Sequence, residues 1–174
     1  ILVIPLITPF IFLIWLQDFE NPFYIADRVG FNFKKFKIIK LRSMIVKADK
    51  SKVDSTSAND PRITKVGAII RKLKLDELTQ LFNVFKGEMS FVGPRPCLPI
   101  QTELIKFRKE LNVHLSLPGI TGLAQVRGID MSQPLLLAKT EHKMIQELNL
   151  KNYFWFIFVT IIGSGFGDRV KKKN

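Results

Sequence analysis

Two adjacent carboxylates, Asp76 and Glu77, open an apolar-patterned segment and have cations on both sides: Arg71, Lys72 and Lys74 before, Lys86 and Arg95 after. A carboxylate kept ionised beside guanidinium groups can attack phosphorus, and a second carboxylate next to it can hold Mg²⁺. Hard oxygen ligands and phosphate oxygens are what Mg²⁺ prefers. The same pair also has a plainer reading. At a helix start, unpaired N–H groups and the macrodipole favour negative charge, so Asp76 can cap and Glu77 can complement the dipole. Arg95 stands between Pro94 and Pro96, with Gly93 ahead. The prolines restrict the backbone on both sides, so a planar guanidinium is presented with little entropy left to lose. That suits bidentate phosphate binding; taken alone, it also suits an arginine on a tight exposed turn. A helix dipole stabilises an exposed charge by only ~0.3–1 kcal/mol, so a diphosphate needs several cations besides. This stretch supplies them.

The carrying elements can be read from spacing. Leu75, Leu78, Leu81, Phe82 and Phe85 recur at helical intervals and predict a helix stopped by a left-handed Gly87. Ahead of it, Asp60-Pro61 predicts a helix start, a capping side chain followed by Pro, with Ile63, Val66, Ile70 and Leu73 as the apolar stripe. The alternation Ile38/Lys40/Arg42 against Ile39/Leu41 predicts a strand with one basic face. Residues 90–96, SFVGPRP, predict a short extended piece closed by a rigid turn. Residues 49–60, DKSKVDSTSAND, predict a loop.

The whole chain has 174 residues, enough for one compact domain over 1–174 and too few for two ordinary ones. Lys and Arg total 27 against 15 Asp and Glu, giving a net charge of +12, yet 47% of residues are hydrophobic and 15 are Phe. That apolar content excludes intrinsic disorder and weakens the case for a simple basic DNA-binding domain. With one Cys, Cys97, and two His, His114 and His142, neither a disulfide framework nor a Cys/His zinc site is expected. Strongly basic and strongly apolar together suit a protein seated on an anionic membrane surface.

Residues 1–16, ILVIPLITPFIFLIWL, carry no charge. At ~1.5 Å per residue they reach roughly 24 Å, short of the ~30 Å hydrocarbon core. Pro5 and Pro9 interrupt them. The chain starts with Ile rather than Met, so this segment is expected to be the remainder of a membrane-inserted segment whose beginning is absent; a buried core helix is the other reading. At the far end, residues 153–166 place Tyr153 and Trp155 at one edge and Arg169, Lys171, Lys172 and Lys173 beyond the other, which suits an interfacial helix with a basic tail. The divisions expected are therefore 1–17 in the membrane, 18–150 catalytic, and 151–174 interfacial helix and tail.

Three blocks in order, IIKLRSM (38–44), DPRITKVGAIIRKLKLDELTQLFNVFKGEMSFVGPRP (60–96) and PGITGLAQVRG (118–128), resemble the bacterial sugar transferase family, the small monotopic polyprenyl-phosphate phosphoglycosyl transferases. The resemblance covers nearly the whole chain up to Gly128 and weakens after it. It implies an α/β fold, predominantly helical with little sheet, interfacial amphipathic helices, and a re-entrant helix-break-helix that enters and leaves one membrane face. Pro5 best matches the break, and the first half of that element is missing here.

The resemblance also implies chemistry. Family members move a sugar-1-phosphate from a UDP-sugar to undecaprenyl phosphate with Mg²⁺, releasing UMP through a covalent aspartyl-phosphosugar intermediate. Asp76 matches the nucleophile and Glu77 the residue at the metal. Lys40, Arg71 and Arg95 match phosphate-binding positions; Arg42, Arg62 and Gln125 fall in matching blocks. Thr79 stands where the family usually has Pro, and Glu141 is the nearest match to a further acidic residue. The implied setting is the cytoplasmic face of the bacterial inner membrane, with anionic lipid as a partner, no nucleic acid, and self-association as a homo-oligomer left open. A non-catalytic membrane scaffold of the same fold is the alternative; the intact Asp76-Glu77 pair with Lys40, Arg71 and Arg95 speaks against it.

Overall fold

The computed structural model describes residues 3–46, 48 and 60–162. The loop expected over 49–60, apart from Asp60, and the basic tail after residue 162 lie outside the described residues. The chain is mostly helical with little sheet. In order come α1 (Val3–Asp18), β1 (Phe23–Val29), β2 (Lys35–Leu41), α2 (Lys65–Lys72), a 3₁₀ turn (Leu75–Gln80) and α3 (Leu81–Phe85). Then follow β3 (Ser90–Val92), α4 (Thr102–Glu110), β4 (Gly119–Thr121), α5 (Leu123–Arg127), α6 (Pro134–Glu147) and α7 (Leu150–Ile162). β1 pairs with β2, and β3 pairs with β4 in parallel, Ser90 opposite Gly119 and Val92 opposite Thr121.

These elements group into two compact units, one of Ile1–Ile25 with Ile39–Leu81 and one of Ala26–Ile38 with Phe82–Asp168, each taken over its described residues. In the first unit, α1 is one continuous helix. Pro5 sits in its first turn, where a missing N–H leaves no intrahelical bond unmade, and Pro9 lies inside it. Ile7 and Ile14, two turns apart, are buried with Leu41, Ile70 and Leu75, and Phe10, Ile11, Val66 and Leu78 pack around them. The rest of α1 stays apolar and exposed: Ile4, Leu6, Phe12, Leu13, Trp15 and Leu16. No helix among the described residues is long and apolar enough to cross a membrane.

Helix α2 does not begin where the sequence suggests. Asp60 is captured by Arg62, whose guanidinium donates to both its oxygens, so the cap passes to Thr64, whose hydroxyl accepts the Gly67 N–H at 2.9 Å. Gly67 packs directly on the Ser43 carbonyl, a space that a Cβ would fill. The apolar stripe is also narrower than its spacing suggests: Ile70 is buried, but Leu73 is exposed.

The second expected helix is also altered. It runs as a 3₁₀ turn before it becomes α3, and after Leu75 its buried residues are polar, Asp76, Thr79, Gln80 and Asn83, while Phe82 and Phe85 are exposed. Tighter winding at three residues per turn aligns i with i+3 and moves the face. Strand carbonyls hold that face. In the first unit the Thr79 hydroxyl donates to Ile39 O at 2.8 Å, and in the second the Asn83 amide donates to Lys37 O at 2.8 Å. Gly87 ends the segment with φ +72°, as expected. Strand β2 is present, but Phe36, Ile38 and Leu41 are its buried residues, so alternation breaks at Ile39-Lys40 and Ile38 points inward.

In the second unit, Phe36 and Ile38 pack with Met89. Cys97, Leu104, Ala124, Leu137 and Ala138 form a second cluster, and Val92, Met144 and Phe156 a third. Helix α7 starts earlier than expected, at Leu150, and exposes Phe154, Trp155, Phe158, Ile161 and Ile162.

Candidate active site

The first unit brings several of the expected residues together around the end of β2. Lys40 Nζ lies 3.0 Å from Glu77 Oε1, a half-buried ion pair. Arg71, in the last turn of α2, donates from Nε to Ser43 Oγ at 2.7 Å. Ser43 also accepts the Thr64 N–H at its carbonyl, at 3.1 Å, so one residue fixes both ends of α2. Between α2 and the 3₁₀ turn, Lys74 takes the left-handed conformation, φ 55°, reversing the chain to set Asp76 and Glu77 in the first turn. Asp76 is 7% exposed. Neither acidic residue caps the turn: the residue before it is Lys74, with no side-chain cap.

Two other expected cations face aspartates. Arg42 Nη2 lies 2.6 Å from Asp18 Oδ1, and its guanidinium holds the Asp18 carboxyl below the usual range. Its buried Nε has no hydrogen-bond partner among the described residues. Arg62 pairs with Asp60 at 2.5 Å and donates from Nη1 to Ala48 O at 3.0 Å. Arg62, with a smaller effect from Arg71, lowers the Asp60 carboxyl from 3.8 to about 2. A value depressed in the folded state stabilises above the unfolded value and is lost as pH falls through the folded one. The stability difference between wild type and Asp60→Asn is thus expected to stay constant above pH 3.8 and to shrink toward about pH 2. Thermal midpoints of both proteins across the acid range check this; a constant difference down to the lowest pH would refute it.

Arg95, Gln125 and Glu141 lie in the second unit. Arg95 is part-buried in the turn after β3. Glu141, on α6, is fully buried and receives Arg108 of α4 at both oxygens, 2.8 Å from Nε and 2.6 Å from Nη2. Burial pushes its carboxyl above the ordinary range, against the opposing pull of Arg108. Gln125 is buried on α5; its side-chain oxygen has no partner among the described residues, and its amide donates weakly to Gly93 O at 3.5 Å. Burial raises the Cys97 thiol above its usual range.

Three residues that position the site escape a reading of the sequence. Ser43 sits inside the IIKLRSM block but looks like filler. Thr79 stands out only as a departure from Pro. Arg108 is one of five charged residues on α4, and its signal is its spacing of four from the buried Leu104, which puts both on one face.

The donor set suits a magnesium ion in kind. Mg²⁺ is usually bound through one or two carboxylates, with water and phosphate oxygens completing its shell. Asp76 and Glu77 offer such oxygens, and Oε2 of Glu77 has no hydrogen bond among the described residues. No cluster of three or more His, Cys, Asp or Glu side chains forms among the described residues, so a metal would need its substrate's oxygens to be held.

The family model described as "Bacterial sugar transferase" matches residues 1–165. The UDP-N-acetylgalactosamine-undecaprenyl-phosphate N-acetylgalactosaminephosphotransferase of Aeromonas hydrophila is 36% identical, over 97% of this chain and 43% of its own length. The undecaprenyl-phosphate glucose phosphotransferase of Komagataeibacter xylinus is 44% identical, over 71% of this chain and 24% of its own. A Bacillus subtilis (strain 168) relative is 46% identical over 68% of this chain and 62% of its own length. The chain thus spans less than two thirds of each of these relatives.

Proposed function

From the premise that this chain belongs to the bacterial sugar transferase family, we propose that it transfers a sugar-1-phosphate from a UDP-sugar to undecaprenyl phosphate and releases UMP. The reaction proceeds in two displacements. A carboxylate oxygen of Asp76 attacks the sugar-bearing phosphorus, and the bond to the bridging oxygen breaks, which leaves with UMP. A phosphate oxygen of the lipid then attacks the same phosphorus. The acyl-phosphate bond breaks, Asp76 regains its carboxylate, and the lipid carries the sugar as a diphosphate. Two steps suit substrates of such different solubility, because each arrives in turn.

The observation that supports this reading is the Asp76-Glu77 pair set in one buried turn, with Lys40 against Glu77 and Arg71 braced by Ser43. Lys40 holds Glu77 in place; Arg71 and Arg95 bind phosphate oxygens, with Arg42, Arg62 and Gln125 in supporting roles. Glu77 would hold Mg²⁺, which when bound neutralises charge on the diphosphate. The exposed apolar side of α1, which runs through Pro5 without the expected break there, seats the protein in the cytoplasmic face of the inner membrane as a monotopic anchor, and anionic lipid meets its cations.

The protein mixed with UDP-sugar and Mg²⁺ alone is expected to release about one equivalent of UMP and then stop until undecaprenyl phosphate is added, as a covalent enzyme intermediate requires. A panel of UDP-sugars scored this way also names the sugar. Turnover that begins only with lipid present would mean direct attack by the lipid phosphate. No UMP from any donor, with lipid or without, would sink the function itself.

A further inference from the structure

The second unit contains a buried ion pair that the two-step reaction does not use. Glu141 is fully buried, Arg108 is 6% exposed, and both are held by the main chain of Arg95. The Arg95 N–H donates to Glu141 Oε1 at 3.0 Å, and the Arg95 carbonyl accepts from Arg108 Nη2 at 2.7 Å. Since Arg108 also grips Glu141 through Nε and Nη2, the three residues close a ring of charge-assisted bonds.

A buried ion pair is weak evidence for stability, because desolvation offsets most of its attraction, and apolar residues of similar volume often do as well. What apolar residues could not do is bond both sides of one peptide residue. The neighbouring backbone is pinned as well: Gly93 N–H donates to Thr121 O at 2.9 Å, and Pro94 O accepts the Gly119 N–H at 2.8 Å. Pro96 then restricts the conformation of Arg95 from the following position. The main chain of residue 95 is thus held by a charged partner on each polar group and by the proline that follows it.

We propose that Arg108 and Glu141 are positioning residues whose task is to fix the main chain of Arg95, and so the point from which its guanidinium reaches a diphosphate. This rests on the reading of Arg95 as a phosphate-binding residue. It assigns Glu141, an acidic residue set far along the sequence from the Asp76-Glu77 pair, to the diphosphate without a direct contact.

The test is a double-mutant cycle on the full chain, with UDP and Mg²⁺ as the binding probe. Glu141→Gln keeps the shape and loses the charge; Arg108→Lys keeps the charge and loses the fork, and serves if the first variant fails to fold. In folded protein either change is expected to weaken UDP binding by about ten- to a hundredfold, the effect of one charge-assisted hydrogen bond. In an Arg95→Ala background the same change should have less than about a twofold effect, since residues that act through one another are non-additive. Equal loss in both backgrounds would show that the pair acts otherwise and overturn the inference, leaving Arg95 as a ligand. Unchanged UDP binding in Arg95→Ala would instead remove the reading of Arg95 and the inference with it.

Discussion

Asp76→Asn is expected to stop UMP release almost completely, by about four orders of magnitude or more, as removal of a catalytic nucleophile does. The amide has nearly the size and shape of the carboxylate, and the site is buried, so the turn can keep its form. What it lacks is the anionic oxygen that the proposed first displacement needs. UDP-sugar and Mg²⁺ should still bind, within about twofold, if Asp76 acts mainly in the displacement rather than in the ground state. Intact mass of acid-quenched protein provides the second reading. Wild type mixed with UDP-sugar should gain one phosphosugar, mapped to residue 76, and the variant none. Appreciable turnover by the variant would end the covalent mechanism, whatever becomes of the overall transfer.

Glu77→Gln should separate two jobs that its position allows. As a metal ligand, its loss would raise the Mg²⁺ concentration for half-maximal rate by about ten- to a hundredfold, the usual cost of disturbing a metal's surroundings. The amide oxygen can still accept from Lys40, so a residue that merely complemented the first turn would leave the Mg²⁺ titration unchanged. A dipole contribution of about 0.3–1 kcal/mol would appear only as a small loss of stability. Rate against Mg²⁺ and thermal midpoint, measured on the same preparation, distinguish these outcomes. A titration curve superimposable on wild type would remove Glu77 from the metal.

Residue types and spacing made the family more legible than the backbone. The three blocks pointed to the family, and the mostly helical fold with little sheet followed from it; Gly87 and the extended piece before GPRP were read from local turn chemistry. Boundaries misled wherever a side chain had a stronger partner than the one assumed. Asp60 has the composition of a cap, but two oxygens facing a guanidinium two residues on outweigh one N–H of a helix. Leu75–Phe85 has apolar residues at helical intervals, yet Thr79 and Asn83 are drawn to strand carbonyls that lie about 40 residues away in sequence. No window of local sequence contains that information. The same holds for Arg108 and Glu141, whose partnership exists only once α4 and α6 are packed.

Gly67 carries a consequence for anyone seeking a sturdier version of this protein. Exchanging a helical glycine for alanine is a routine engineering step, worth up to about 1 kcal/mol in helix propensity. Here the added methyl would collide with the peptide of Ser43, the residue that also braces Arg71. The helix would have to back away and take Arg71, proposed to bind phosphate, with it, so thermal robustness must be sought elsewhere in the chain.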